Sequence, residues 1–494
     1  MAKLLIIGAG GAGLSAALEA KAAGFEVVVA TKEYPTRSQT CMAQGGINAA
    51  LADGDSVDKH KEDTLKSAKG LADEAMVERL CASAPDTISW LEQLGVPFSR
   101  TKEAKIAQRK LGGASFARAC YAQDYSGLKI LHTLYDQALS QGIVFLCEYF
   151  LIDLIVKNDE CFGALFYDLK NGKLEAIYAD NILLAGGGYS KIYGEYSTNS
   201  KAATGDIIAA ALRAGAKLRM MEFIQFHPTA LKKSSILIGE AARGAGGRLI
   251  NSDGERFVDE LKPRDEVSLA IFEQLEQNKE VFLDISHLEE QFINEELPQE
   301  RKLALLYEGV DIAKEQVPIK PAAHFTMGGI AVDEKFQTNI KNLFAVGECS
   351  ESKVHGANRL GGNALLEIIT FGRDVVKYLS KEKRKITPKQ EQNILEQYLY
   401  QDGESFYPYQ KQLQEMMYQK CGIKRNKKDL EELLAFIEEL EKKSFGLEDK
   451  TLHYNTNLTD LLSFYNMLAL SKEVVLAALS NKKSVGAHYR VDGE

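Results

Sequence analysis

The chain has few of the residues from which disulfide frameworks and metal sites are built. Its 494 residues contain only seven cysteines, eight histidines, ten prolines and one tryptophan. The cysteines form no CxxC pair and do not alternate with histidines at ligand spacing. This indicates reduced thiols in a reducing compartment and predicts no metal site. The chain starts Met-Ala-Lys and enters an apolar strand at once, so we expect no signal peptide.

Long apolar runs and an excess of basic charge are missing as well. No stretch of 18 consecutive apolar residues occurs, so we expect no direct membrane span. The net charge of -9 argues against a nucleic-acid partner, because nucleic-acid-binding proteins usually present a basic face. The length allows two or three domains, each with a core of its own.

The first 30 residues alternate as in a doubly wound α/β domain. An apolar run at Lys3–Ile7 predicts a strand, the Ala- and Leu-rich segment 11–23 predicts a helix, and the β-branched run 26–30 predicts a buried parallel strand. Strand, helix and strand in this order are typical of a parallel sheet covered by helices.

Two later segments repeat the combination of a predicted strand followed by glycine, and the sequence between them differs in charge and periodicity. The strand patterns are at 181–185 and 342–346. The block 226–322 is more charged and of mixed periodicity, which predicts an insertion. We therefore predict that 1–225 and 323–383 form the two parts of one nucleotide-binding domain.

The last part of the chain, 384–494, reads as a helical domain. It follows a lysine-rich stretch that, with Pro388, predicts a solvated linker. Apolar residues then recur on one face of a predicted helix. These residues are Leu430, Leu433, Leu434, Ile437 and Leu440.

A glycine-rich turn after the first strand fits the dinucleotide fingerprint, with glycines at 8, 10 and 13. Gly8 permits the tight turn, Gly10 lets a pyrophosphate approach the backbone, and Gly13 lets helix and strand pack closely. The helix that follows offers free N–H groups to the phosphates. Thr31 and Lys32 stand where a ribose-binding acid is expected after the second strand, so a simple NAD site is not favoured.

Several longer strings stand out along the chain. They are the run from Thr31 to Thr40, Ala43-Gln-Gly-Gly-Ile-Asn48, Thr204-Gly205-Asp206, Val346-Gly347-Glu348 and the run from His355 to Leu365. These strings resemble the succinate dehydrogenase/fumarate reductase flavoprotein family, and the resemblance covers nearly the whole chain. It implies FAD as cofactor, a Rossmann-like FAD-binding domain, an inserted α+β capping domain and a C-terminal helical domain. It also implies interconversion of fumarate and succinate, an iron–sulfur partner subunit, and a cytoplasmic location with membrane association only through partner subunits.

The resemblance carries cofactor contacts onto particular residues. The flavin would be lined by the segment after the second strand, the adenosine half or ribose would be held by two acids, and a later helix start would bring backbone groups to the isoalloxazine. The residues concerned are Gly8, Gly10, Gly11, Ala12 and Gly13 in the turn, Lys32, Ser38, Thr40, Gly45 and Gly46 along the flavin, Asp206 and Glu348 as the acids, and Ala364 and Leu365 at the helix.

One residue departs from the family pattern at the flavin. Respiratory members usually carry a histidine, bonded covalently to the flavin, between Ser38 and Thr40, and this chain has Gln39 there. An amide cannot form that bond, so we expect dissociable FAD. Loss of the covalent link is expected to lower the flavin potential, which favours fumarate reduction over succinate oxidation.

A C4 dicarboxylate needs cations or strong donors at both ends and an acid near the carbon that receives a proton. By resemblance, His227, His324 and Arg359 bind the substrate carboxylates, and Phe116 packs on the substrate. Three separated strings supply the first three, and Phe116 follows Gly112-Gly113. The strings are Gln225-Phe-His-Pro-Thr229, His324-Phe-Thr-Met-Gly-Gly329 and His355-Gly-Ala-Asn-Arg359.

The resemblance also implies a proton relay of Glu240, Arg243 and Arg264, with Arg264 as the terminal acid. An arginine has a pKa above about 12, so it can serve only where a paired glutamate and arginine return the proton and water is excluded. The i, i+3 spacing of Glu240 and Arg243 would place both on one helix face. Gly239 stands where the family usually has a threonine, so one hydroxyl donor to the substrate is missing.

Two rival interpretations remain open at this point. L-Aspartate oxidase is a sister enzyme with non-covalent FAD, and Gln39 fits it equally well. The segment 125–134 carries no carboxylate for an ammonium group, and the string from Arg359 to Asn363 has the respiratory form, which opposes it. A flavin-holding electron-transfer protein with an inactive substrate site is the other alternative, and Gly239 motivates it. The sequence does not identify the electron donor.

Overall fold

A computed structural model describes residues 1–386 and 394–493 of the chain, so Pro388 of the predicted linker lies outside the described residues. The strands are β1 Lys3–Ile7, β2 Glu26–Thr31, β3 Ile47–Asn48, β4 Gln108–Arg109, β5 Ala119–Cys120, β6 Val144–Cys147, β7 Tyr149–Lys157, β8 Glu160–Asp168, β9 Lys173–Tyr178, β10 Asn181–Leu184, β11 Leu218–Arg219, β12 Ile224–Leu231, β13 Arg248–Asn251, β14 Val281–Asp284, β15 Val317–Thr326, β16 Gly329–Ala331, β17 Leu343–Ala345, β18 Ser350–Glu351, β19 Lys424–Arg425 and β20 Tyr489–Arg490.

The α-helices alternate with these strands in the first half of the chain and dominate its last hundred residues or so. They are α1 Gly11–Ala22, α2 Val57–Ser67, α3 Glu74–Leu94, α4 Ser126–Ser140, α5 Asp206–Arg213, α6 Glu240–Gly244, α7 Arg264–Glu276, α8 Glu290–Glu296, α9 Pro298–Tyr307, α10 Asn363–Asp374, α11 Leu395–Leu399, α12 Tyr407–Cys421, α13 Lys427–Leu440 and α14 Thr456–Ser480.

Five parallel strands in the order β17-β10-β1-β2-β6 form the sheet that carries the cofactor cavity. Strand β1 is central and almost wholly buried, as expected for a parallel sheet covered on both faces. The predicted strand–helix–strand opening is confirmed, with α1 ending at Ala22 and β2 reaching Thr31. Both later strands, β10 and β17, join the same sheet.

The turn between β1 and α1 requires glycine for two separate reasons. Gly8 has φ +113°, a conformation that side chains disfavour. A Cβ on Gly8 would lie 2.2 Å from the carbonyl oxygen of Ala185, and one on Gly13 would lie 2.0 Å from the carbonyl oxygen of Gly8. The turn is therefore packed directly on the end of β10, and α1 begins at the edge of the sheet.

The inserted part of the chain leaves and returns through two neighbouring antiparallel strands, β12 and β15. They lie side by side at one edge of a four-stranded sheet with the order β12-β15-β14-β13. Helices α6 to α9 lie between β12 and β15 in sequence. The limits predicted at 225/226 and 322/323 fall inside β12 and β15, because a strand that crosses between two parts of a fold has no change of composition at the crossing. The domain limits stay a prediction.

The C-terminal part is helical, as predicted. Helix α13 buries four of its predicted apolar residues, and Leu434 is partly buried against the same core. Helix α14 is long and apolar enough to cross a membrane by length and composition, with a mean hydropathy of 1.3 over its most apolar window. However, 67% of that window is buried inside the protein, as in the core helix of a water-exposed fold. The predicted α/β class with an inserted α+β region and C-terminal helices is confirmed.

Candidate active site

One long cavity runs from the glycine turn to the inserted part of the chain. It encloses about 1760 Å³ of space when its open mouth is included. It follows the carboxyl ends of the parallel strands, where α/β sheets bind nucleotides. The turn residues Gly8 and Gly10 lie near one end, and His227, Arg264 and Arg359 lie at the other.

The glycine turn fits the pyrophosphate of a dinucleotide. Gly10 precedes α1 without any side-chain cap, so N–H groups of the first helical turn are left for an anion. The N–H of Gly11 donates to the hydroxyl of Thr40 over 3.0 Å, which ties the turn to the predicted flavin segment. Of the predicted cofactor residues only Gly13 does not line the cavity, because it is packed beneath Gly8. Their contacts with the cofactor stay a prediction.

Lys32 and Asp206 line the cavity but also bind each other. The Lys32 Nζ lies 2.8 Å from Asp206 Oδ2. Burial raises the pKa of Asp206, but the Lys32 charge and hydrogen bonds from Lys32, Asn466 and Thr204 outweigh it and leave that pKa below its ordinary value. Asn466 belongs to α14, so the C-terminal helices support this end of the cavity.

Gln39 also lines the cavity. Its Oε1 accepts a hydrogen bond from the backbone N–H of Ser200 over 2.8 Å. The residue that replaces the family's histidine is therefore held in place by the protein itself.

Glu348 lies in the cavity wall. It accepts hydrogen bonds from the N–H and the hydroxyl of Thr326 over 3.0 and 3.2 Å, and burial raises its pKa to about 7. A Cβ on Gly188 would lie 2.4 Å from Glu348 Oε1, so the glycine there makes room for the carboxyl group.

Several residues of the cavity wall could not be predicted from the sequence. Tyr149, Phe150 and Leu151 of β7 lie along it, and the Lys32 ammonium lies 5.1 Å from the centre of the Phe150 ring. Their continuous apolar run indicates a strand but carries no signal for a ligand. Gln44, which also lines the cavity, stood inside a string of the resemblance without a role.

His227 and His324 lie side by side on the antiparallel strands β12 and β15, with ring centres 5.0 Å apart. Burial, together with the charge of Arg264, holds both pKa values well below the ordinary one, so both rings are neutral. The backbone N–H of Thr229 donates to His227 Nδ1 over 3.3 Å. The proton of His227 is therefore on Nε2, which makes Nε2 a hydrogen-bond donor.

Arg264 and Arg359 share one acceptor. Arg264 Nη1 and Arg359 Nη2 donate to Gln225 Oε1 over 3.0 and 3.2 Å. The Arg359 guanidinium also lies over the Phe325 ring, 4.3 Å from its centre. One amide oxygen thus holds two guanidinium groups at the same end of the cavity, where they can reach the two ends of a small dianion.

The predicted relay residues are in contact. Arg264 Nη2 lies 2.6 Å from Glu240 Oε2, and Arg243 Nη2 lies 3.5 Å from Glu240 Oε1. The second distance is that of an ion pair without a well-formed hydrogen bond. The N–H of Gly112 also donates to Glu240. Burial raises the pKa of Glu240, but the charges of Arg264 and Arg243 leave it below its ordinary value, so Glu240 is an anion between two cations.

Arg359 carries a charge that the described part of the protein does not balance by a direct ion pair. It is 4% exposed, and neither an acid nor a terminus within 1–386 and 394–493 forms a salt bridge with it. Burial and the charge of Arg264 lower its pKa to about 9. A buried cation of this kind is stabilised by an anion that enters the cavity.

Phe116 does not line the cavity. Its ring lies beneath the Lys59 ammonium, 4.4 Å away. The apolar residue that reaches the cavity from this segment is Leu111, because Leu111 directly precedes the glycine pair that approaches Glu240. The predicted packing of Phe116 on the substrate stays a prediction.

The segment 125–134, which carries no carboxylate, does not line the cavity either. It includes the start of α4, so its lack of acids does not distinguish the substrate of an aspartate oxidase from that of a fumarate reductase.

Two family models together match most of the chain. The model described as "FAD binding domain" matches residues 3–365, and the model described as "Fumarate reductase flavoprotein C-term" matches residues 410–494. FAD is therefore the cofactor that the cavity serves.

Whole proteins of known function are similar over the full length. The succinate dehydrogenase flavoprotein subunit of Rickettsia bellii is 36% identical, with 99% of this chain and 90% of that protein covered. The fumarate reductase flavoprotein subunit of Escherichia coli is 34% identical, with 99% and 88% covered. A solved structure of E. coli quinol fumarate reductase superposes with a TM-score of 0.95 at 34% identity, covering 99% of this chain and 91% of that one. The chain therefore belongs to the family of succinate dehydrogenase and fumarate reductase flavoprotein subunits, FAD-dependent oxidoreductases that act on succinate and fumarate.

Proposed function

We propose that the chain is the catalytic subunit of a fumarate reductase that holds FAD without a covalent bond and favours fumarate reduction. The observation that carries this is the convergence of Arg264, Arg359 and two neutral histidines at the far end of the FAD cavity. Bound FAD supplies hydride transfer. The residues of the chain bind the dianion, orient it and deliver the proton.

The carboxylate contacts follow from the geometry. Arg359 offers a planar fork that suits a bidentate carboxylate, and His227 offers an Nε2 donor. Arg264 lies between the substrate end of the cavity and Glu240, so its Nη atoms can give a proton to the substrate and regain one from the relay. Because Arg264 is 7% exposed, bulk water does not compete for this step.

The proposed partners follow the family. The similar proteins are named as flavoprotein subunits, which supports an iron–sulfur subunit that passes electrons to or from the flavin. We propose that the chain works in the cytoplasm and reaches a membrane only through partner subunits.

Non-covalent FAD gives the first testable prediction. Gln39 has no imidazole, so acid precipitation of the purified protein should release all of the flavin into the supernatant, measured by its absorbance. The pellet of unfolded protein is washed and examined for flavin fluorescence, which checks that no flavin stays attached to the protein. Flavin that stays in the pellet after washing would contradict the proposal.

Substrate choice gives the second prediction. Under anaerobic conditions succinate should reduce the bound FAD, and L-aspartate should do so more slowly, because its ammonium group would meet the positive charges of Arg264 and Arg359 in the cavity. With reduced viologen as donor, fumarate reduction should be faster than succinate oxidation by the same preparation. Faster FAD reduction by L-aspartate would indicate an aspartate oxidase instead.

A further inference from the structure

A buried carboxyl group that the relay does not use lies directly behind the substrate end of the cavity. Glu300, on α9, is 0% exposed, and neither of its carboxyl oxygens has a well-formed hydrogen bond within the described ranges. Nearby, Gln44 Oε1 is also buried and unpartnered among the same residues. A Cβ on Gly239 would lie 2.5 Å from Gln44 Oε1 and 2.8 Å from Glu300 Oε1, so both oxygens face one point.

Two buried acceptors that face each other are costly to leave unpaired. Either Glu300 carries a proton and donates to Gln44 Oε1, or the Gln44 amide turns and its Nε2 donates to an ionised Glu300. An ionised Glu300 would be a fully buried carboxylate without a hydrogen-bonded cation among the described residues, which is costly. Its burial therefore favours the protonated form, which leaves Gln44 Oε1 as the acceptor.

The charges around Glu300 act in the same direction. Its own backbone N–H donates to Asp124 Oδ2 over 2.9 Å, and burial raises the pKa of Asp124 to about 6. Burial, with the added charge of Asp124, raises the pKa of Glu300 well above its ordinary value. Arg109, Arg243 and the nearby N–H of Gly239 oppose this only partly. At neutral pH Asp124 is then the ionised member and Glu300 the neutral one.

Gln44 connects this group to the substrate. Its side chain lines the cavity, and only its oxygen, not its nitrogen, is buried without a partner. Because Oε1 faces Glu300, the Nε2 group is left for the cavity side. This donor lies beside Gly239, where the family pattern has a threonine hydroxyl that this chain lacks.

We propose that Glu300 is a positioning residue for the dicarboxylate: as a neutral acid it donates to Gln44 Oε1 and so turns the Gln44 amide N–H toward a substrate carboxylate. When Glu300 ionises, the amide is favoured to turn round, with Nε2 donating to the carboxylate and Oε1 facing the cavity. An acceptor oxygen there repels the substrate. The inference rests on the proposed function, since it names a further residue of the same site.

The test compares Glu300→Gln and Glu300→Leu in the FAD-loaded protein, with fumarate reduced by reduced viologen across a range of pH. Glu300→Gln keeps a neutral donor, so its KM should stay within about twofold of the parent and stay flat at alkaline pH, where the parent KM rises. Glu300→Leu leaves Gln44 unsupported and should raise KM about tenfold, with kcat changed less than about twofold. Glu308→Gln, at the residue that follows α9, removes an acid paired with Lys233 across 3.5 Å; it is the matched control and should match the parent.

Two readouts do not depend on turnover. The infrared C=O band of protonated carboxylic acids should lose intensity in Glu300→Gln but not in Glu308→Gln. Glu300→Leu fills the space with an apolar side chain of similar size but leaves Gln44 Oε1 unpaired, so its melting temperature should fall by only about a few degrees, and weaker binding at the assay temperature would not reflect a damaged fold. Equal KM increases in Glu300→Gln and Glu300→Leu, an unchanged Glu300→Leu KM, or an unchanged infrared band would each overturn the inference. If the parent does not reduce fumarate, the proposed function fails, and the infrared result still states whether Glu300 is neutral.

Discussion

Arg264→Lys is expected to lower kcat for fumarate reduction by about a hundredfold or more and to change KM by less than about threefold. Lysine keeps a positive charge but loses the planar fork, and its ammonium has a different reach and pKa. It cannot hold both Glu240 Oε2 and Gln225 Oε1, which Arg264 contacts through separate nitrogens. The proton would then be offered at a wrong distance in the transition state, while the substrate carboxylates keep their other partners.

Steady-state kinetics with reduced viologen measure this effect, and Arg256→Lys is the matched control. Arg256 pairs with Glu260 at 2.8 Å but is 58% exposed, so the same change there should leave both constants near those of the parent. A solvent isotope effect on the Arg264→Lys rate should be larger than that of the parent, because proton delivery becomes the slow step. If Arg264→Lys reduces fumarate at close to the parent rate, Arg264 has only a structural role.

Arg359→Ala is expected to lower kcat/KM for fumarate by the equivalent of about 2–5 kcal/mol, through weaker binding as well as a lower rate. The change removes the cation that contacts Phe325 and Gln225, and it leaves a substrate carboxylate buried without its fork. Unlike Arg264→Lys, it should therefore raise KM strongly.

Binding of a non-reacting dicarboxylate, followed through the flavin spectrum, separates the two effects. Guanidinium added to Arg359→Ala should restore part of the activity, since it can occupy the space of the missing side chain. Arg219→Ala, at a residue whose side chain is 51% exposed, is the control and should bind as the parent does. Unchanged dicarboxylate affinity in Arg359→Ala would exclude Arg359 from the carboxylate site.

Much of the cofactor end could be predicted from the sequence because its signals are local. A strand, a glycine turn and a helix follow one another within 22 residues, and the steric demands at Gly8 and Gly13 arise between near neighbours in that turn and the strand beside it. The glutamine at position 39, in place of a histidine, likewise predicts directly that the covalent link to the flavin does not form. Such features depend on residue type and spacing, and both are read directly from the sequence.

The place of Phe116 could not be predicted in that way. Phe116 and Leu111 are both apolar residues close to the glycine pair, and a few residues along an irregular segment are enough to turn a side chain from the cavity to the surface. Leu111 lines the cavity and Phe116 lies beneath Lys59. The path of the backbone, which local pattern does not specify in a loop, decides this, and the contact of Phe116 with the substrate stays a prediction.

By itself the sequence determined the fold class and the FAD turn, and it predicted the histidines and arginines that would bind a dianion. Only the tertiary structure decided that Arg264 and Arg359 share Gln225 and that Glu300 lies buried behind the cavity. In the sequence Glu300 is one acid in a charged stretch, which predicts an exposed helix face. Its contact with Asp124 spans 176 residues, and its pKa depends on burial between the inserted part and the FAD-binding part of the chain. Burial of this kind is a property of packed segments, and no spacing within one segment encodes it.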